Sequence, residues 1–192
     1  LLPLLEQNPR RFRLIANLNP HLHHPILEEL DRQLALGAAA VKLHPVHGGF
    51  SPTEGVLYLV YQRCAELGVP VVFHTGTSTF PGAVNRFGDP APIDELIQHV
   101  PDLTVVLAHG GRGWWYDAAA FLALSNDNVW IELSGLPPKR LPEYYAKFGF
   151  FSTPELVCAG VPPEVFMVLP FTGGVPRGTV TFHEAFAAKG PA

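Results

Sequence analysis

Polar side chains fall at the ends of four consecutive apolar runs in this chain: Lys42 and His44 in AAVKLH, His74 in PVVFHT, His109 in TVVLAH, Glu132 and Ser134 in VWIELS. Neutral imidazoles at equivalent depth on neighbouring strands can share a divalent ion, with zinc the first expectation and manganese or iron the alternatives. A single histidine at a strand end is more often a satisfied structural group. His74 and His109 are the candidate metal ligands because the pattern repeats: each is followed by small residues, Thr75-Gly76 and Gly110-Gly111, which let backbone approach a ligand closely. His109 is also the candidate catalytic group, placed to move a proton.

Lys42 and His44 are two apart, so on a strand they share a side. Both are expected to contact substrate, while Lys42 equally suits a buried ion pair or a carboxylated metal ligand. Arg112, Trp114 and Trp115 follow the His109 glycines. A guanidinium beside aromatic rings suits a flat carboxylated molecule, since it pairs bidentately and stacks; core packing and a surface ion pair are the competing readings. His21-Leu22-His23-His24 has an HxH look, but Asn19-Pro20 and Pro25 flank it and point to a loop and helix start. His109-Gly110-Gly111 resembles an esterase oxyanion-hole motif, yet no GxSxG elbow accompanies it. No P-loop occurs, and no GxGxxG follows a strand.

Six short runs rich in β-branched residues would position these groups: RLIANL (13–18), AAVKLH (39–44), PVVFHT (70–75), TVVLAH (104–109), VWIELS (129–134) and VFMVLP (165–170). Each reads as a buried strand, and the gaps leave room for one crossover helix apiece. Ser51-Pro52-Thr53-Glu54 reads as a capping box and Gly68 as a stop, predicting a helix over 52–67. Pro25 and Gly37 bracket ILEELDRQLAL, PIDELIQHV follows Asp89-Pro90, and WWYDAAAFLALS follows Gly113; all three read as amphipathic helices. In such a fold the C-terminal strand ends form one face, where active sites sit.

The composition fits one soluble globular domain over 1–192, with 150–192 the least patterned part. Among 192 residues, 47% are hydrophobic and 16% charged, and 13 basic against 17 acidic side chains give net charge −4. That balance argues against nucleic acid as a partner. No apolar run reaches the ~18 residues of a membrane-spanning helix, so no membrane partner is expected. Two cysteines without CxxC spacing suit a reducing, cytoplasmic setting.

VKLHP (41–45), VPVVFHTG (69–76), LTVVLAHGGRGWW (103–115) and NVWIELSG (128–135) together resemble strands four to seven of the amidohydrolase-related family. That family contains metal-dependent TIM-barrel hydrolases and decarboxylases of the aminocarboxymuconate-semialdehyde type. The resemblance covers roughly residues 10–148, with RFRLIANLNP similar to strand three. It implies an α/β fold of the (β/α)8 TIM-barrel type, here incomplete with about six βα units, against the ~250 residues of a full barrel. It also implies His74 as the strand-five metal ligand and His109 as the strand-six histidine. The HxH pair of strand one is not in this sequence, and Phe171 stands where the strand-eight aspartate is expected, although Gly174-Val175-Pro176 fits.

The function implied is a metal-dependent hydrolase acting on a small, carboxylated molecule through a metal-activated water. The alternatives are a non-oxidative decarboxylase of the same family, a truncated or non-catalytic relative, and a metal-free anion-binding α/β protein. A homo-oligomer is expected, because an open arc would leave RLIANL and VFMVLP as edges and expose barrel-facing residues such as Leu14, Ala16, Val41 and Val72 or their neighbours.

Overall fold

A computed structural model describes residues 2–8, 11–137, 140–170 and 174–181. The chain groups into two compact units, Leu1–Gly135 and Leu136–Ala192.

In the first unit, after the short helix α1 (Leu2–Gln7), five strands alternate with helices. They are β1 (Leu14–Leu18), β2 (Ala38–Leu43), β3 (Val71–Gly76), β4 (Val105–Arg112) and β5 (Val129–Glu132). All neighbours pair in parallel, in the order β1-β2-β3-β4-β5. The crossovers carry α2 (Ile26–Ala35), α3 (Pro45–Gly48) with α4 (Gly55–Leu67), α5 (Ala91–His99) and α6 (Tyr116–Ser125). A doubly wound sheet reverses its strand order at a switch point; this order never reverses, which is the winding of an arc of a TIM barrel.

The period of two divides each strand between two faces. Ala16, Leu18, Val41, Leu43, Val71, Phe73, Val105, Leu107 and Val129 are buried in one core with Ile26, Leu30, Leu57, Tyr61, Leu96 and Leu122 from the crossover helices. The expectation that Ala16 and Val41 face the barrel is therefore corrected: both are fully buried on the helix side. Their strand neighbours carry the other parity, among them Ile15, Lys42, His74, Trp130 and Glu132, and Ile15 and Trp130 are more than half exposed.

Five of the six predicted strands form. The helix predicted over 52–67 begins later, at Gly55. Ser51 and Glu54 do interact, the Ser51 N–H donating to Glu54 Oε1 at 3.3 Å. The hydroxyl of Ser51, however, accepts from the N–H of Thr53 and closes a local turn before the helix. Gly68 ends α4 in the left-handed conformation, φ +64, as expected.

The second unit contains α7 (Leu141–Ala146) and a parallel pair, β6 (Leu156–Cys158) with β7 (Gly178–Val180). VFMVLP is not a sheet strand. Pro163–Val165 forms a 3-10 turn, and only Val168 makes a β-bridge, antiparallel to Phe151. Pro162 and Pro163 set the turn that runs into this segment and Pro170 ends it, and none of the three can donate an N–H to a ladder. Phe171 lies outside the described residues. Among the described residues, no helix is long and apolar enough to cross a membrane.

Candidate active site at the strand ends

The site is shaped by a mismatch between β3 and β4. His74 pairs with Ala108 and Gly76 with Arg112, so the single residue Thr75 faces the three residues 109–111. All three are at positive φ: His109 +67, Gly110 +51 and Gly111 +69. Glycine tolerates this region without cost. A Cβ on Gly111 would also run into the backbone carbonyl of Trp115. Thr75 bridges the bulge from the other side, its hydroxyl donating to the Ala108 carbonyl at 2.8 Å and accepting from the Gly111 N–H at 3.0 Å. The small residues after His74 and His109 thus serve backbone geometry first.

The bulge turns His109 towards the end of β5. Its Nδ1 lies 2.8 Å from the Ser134 carbonyl oxygen and 3.1 Å from the Ser134 hydroxyl. Its backbone N–H donates to Glu132 Oε2 at 3.3 Å. The same carboxylate accepts from the Ser134 N–H at 2.6 Å and the Ser134 hydroxyl at 2.9 Å. Burial works to raise the Glu132 pKa, but these hydrogen bonds outweigh it and hold the carboxyl below its ordinary value. Glu132 and Ser134 closed the fifth run in the sequence without an assigned role; their i, i+2 spacing at a strand end was the available signal.

On the other side of His109, its ring meets that of His74 edge-on, centroids 4.9 Å apart. His74 in turn stacks on His44 at 4.0 Å, and His44 meets His47 at 4.8 Å. His47 Nε2 is 2.9 Å from the hydroxyl of the buried Ser78. His44 has left the strand: it caps α3, its Nδ1 accepting from the His47 N–H. Burial, then the charges of His47 and Lys42, pushes His44 down to about 4. His74 is only 5% exposed, and burial, then His44 and His109, pushes it down to about 3. Lys42 is half-buried; burial lowers its pKa, partly countered by Glu132.

Five of the six predicted site residues, Lys42, His44, His74, His109 and Arg112, therefore lie on strands β2 to β4 or directly after them. The Arg112 guanidinium is already engaged, donating from Nη2 to the Thr77 carbonyl at 3.0 Å and from Nη1 to the Gly135 carbonyl at 3.3 Å. Trp114 is 69% exposed, edge-on to Trp115. The histidines of the HxH-like segment are engaged elsewhere: His21 Nε2 is 3.3 Å from Glu54, and His23 Nδ1 accepts from the Asn19 N–H.

One atom stands out for its lack of a partner. His74 Nε2 is buried and has no hydrogen-bond partner, a situation that costs about 1–3 kcal/mol unless something fills it. Held neutral, it suits a metal ligand. Among the described residues, however, no group of three or more His, Cys, Asp or Glu side chains converges to hold an ion. The fit to a divalent metal is thus that of a partial donor set, with His74 the one position that calls for it.

A family model described as amidohydrolase matches residues 3–157. No curated protein matches the chain significantly. Among solved structures, an uncharacterised TIM-barrel protein from Bordetella bronchiseptica is similar at 24% identity with TM-score 0.63, over 77% of this chain and 51% of that one. A probable 2-pyrone-4,6-dicarboxylic acid hydrolase from Acinetobacter baumannii, with citric acid bound, is similar at 21% identity with TM-score 0.52, over 77% and 56%. An amidohydrolase II is similar at 20% identity with TM-score 0.50, over 76% and 57%. The chain spans about half the length of these structures.

Proposed function

The chain belongs to the amidohydrolase family, and from that premise we propose that it carries one side of a metal-assisted hydrolase site for small carboxylated molecules. The observation that carries this reading is the buried, unpartnered Nε2 of His74 beside His109. Members of the family generally bind divalent metals. Zinc is the first candidate here, with manganese or iron as alternatives.

His74 would be a ligand, with His109 beside it as a second. A divalent ion, when bound, supplies Lewis acidity that activates water and polarises a substrate oxygen. The remaining ligands would have to come from outside the described residues. Alternatively His109 leaves the ion to His74 and uses its Nε2 lone pair to position or transfer a proton, since its Nδ1 is occupied by Ser134. Lys42 contributes positive charge for a substrate carboxylate, and His44 packs the wall behind His74. Arg112 and Trp114 would line the mouth, Arg112 offering the guanidinium hydrogens that Thr77 and Gly135 leave over.

The acid-bearing name of one similar structure, 2-pyrone-4,6-dicarboxylic acid hydrolase, supports a carboxylated substrate. Two free buried cysteines, Cys64 and Cys158, suit a reducing compartment such as the cytoplasm. β1 and β5 each pair on one side only within their sheet, which supports self-association into a homo-oligomer.

The test is a panel of carboxylated lactones, esters and amides, with neutral isosteres, assayed in zinc, manganese or iron(II). Metal-dependent hydrolysis of the carboxylated members, abolished by a chelator, is expected. Release of carbon dioxide without hydrolysis would replace this reading with decarboxylation, and anion binding indifferent to chelator would replace it with a binding protein.

A further inference from the structure

We infer that Glu132 is a positioning residue that fixes the tautomer of His109, so that the ring carries its proton on Nδ1 and keeps a lone pair on Nε2. The inference deepens the proposed role of His109 and rests on that reading for its functional meaning.

The Ser134 carbonyl oxygen, 2.8 Å from His109 Nδ1, can only accept, so the hydrogen in that contact belongs to Nδ1. The Ser134 hydroxyl, 3.1 Å from the same nitrogen, could donate to it and impose the opposite tautomer. Glu132 removes that option. Its Oε2 takes the hydroxyl proton at 2.9 Å, and an ionised carboxylate has nothing but acceptors to offer. The Ser134 oxygen therefore meets Nδ1 with lone pairs, and both oxygens around Nδ1 accept.

The same carboxylate fixes the position of these oxygens. Oε1 accepts the Ser134 N–H at 2.6 Å, and Oε2 accepts the His109 N–H at 3.3 Å. One side chain thus clamps the backbone of the acceptor and of the imidazole's own residue. His109 is the only non-glycine residue at positive φ among the described residues, a conformation that costs an L-residue about 1–2 kcal/mol. The clamp offsets that strain and points one defined ring nitrogen away from β5.

The test is 15N NMR of the imidazole nitrogens in the full chain after chelator treatment, at a pH where the rings are neutral, with His109→Gln to assign the resonance among nine histidines. The wild type should show a protonated Nδ1 and an unprotonated Nε2. Glu132→Ala should lower the Nδ1–H to Nε2–H ratio by roughly tenfold, the scale of one lost charge-assisted hydrogen bond. Ser134→Ala keeps the carbonyl acceptor and should leave the ratio in place. If the amide spectrum of Glu132→Ala shows misfolding, Glu132→Gln serves: its amide donates to the Ser134 oxygen, frees the hydroxyl proton for Nδ1 and should produce the same fall. An Nε2–H wild type, or an unchanged ratio in a folded Glu132 variant, would overturn the inference. Because the readout needs neither metal nor turnover, absent hydrolysis with the expected tautomer counts against the proposed function alone.

Discussion

His44 and His74 lie face to face, their ring centroids 4.0 Å apart and their planes 16° from parallel. Burial, then positive charge on neighbouring groups, pushes His44 down to about 4 and His74 down to about 3, so near neutral pH the stack joins two uncharged rings. In the unfolded chain both would titrate near ~6.5.

Between those values the unfolded chain binds protons that the folded chain refuses, so stability falls as the pH is lowered. It is fully present above about pH 6.5 and is lost progressively down to about pH 3, by about 2 kcal/mol or more. Urea midpoints of chelator-treated protein across this range measure the slope. The His44→Asn, His74→Asn double variant should flatten it, and an unchanged slope in that variant would assign the acid sensitivity elsewhere.

Gly76 joins the end of β3 to the bulge of β4. Its φ is +91, and an added Cβ would collide with the backbone N and O of Arg112. Gly76→Ala should cost about 3 kcal/mol, combining strain at positive φ with a backbone clash that no side chain can relieve. Chemical denaturation reads this directly. Wild-type stability in Gly76→Ala would mean that the two strand ends are not held as described.

Arg112 ties the loop after β3 to the turn after β5 through two carbonyls. Arg112→Ala should lower stability by about 1.5–3 kcal/mol, the range for hydrogen bonds from a charged donor. Arg112→Lys should recover less than half, because one compact ammonium cannot span both carbonyls as a planar fork does. Full recovery in Arg112→Lys would show that charge alone matters there.

Tyr61 is fully buried in the core, and its hydroxyl donates to the Pro52 carbonyl at 2.7 Å. Tyr61→Phe should cost about 1–2 kcal/mol, since it leaves that carbonyl without its partner. A shift below about 0.5 kcal/mol would mean that water replaces the hydroxyl.

The strands that carry the site were legible because their apolar runs are short, β-branched and separated by helix-length gaps. The alternation in AAVKLH was harder to orient: Val41 and Lys42 are both consistent with either face until the crossover helices claim Val41. VFMVLP reads as a strand by composition, yet a 3-10 turn runs into its first residue and only Val168 pairs. His44, His74 and His109 were legible from position at strand ends, while His47 joins them only through the short helix α3, and the Glu132–Ser134 clamp depends on a three-residue bulge at His109, a backbone event that side-chain patterns do not announce. Arg112 illustrates the converse: its charge suggested a ligand contact, while its reach to Thr77 and Gly135 exists only once β3, β4 and β5 are side by side.

Metal titration of the chelator-treated chain by calorimetry, with elemental analysis of the recovered protein, reads whether the buried Nε2 of His74 ligates a metal. Zinc, or manganese or iron(II), should bind, and His74→Ala should weaken binding by at least about tenfold, no less than the loss of an outer-shell partner costs. Binding of the same strength in folded His74→Ala, or no binding by the wild type to any of the three ions, would rule out His74 as a metal ligand.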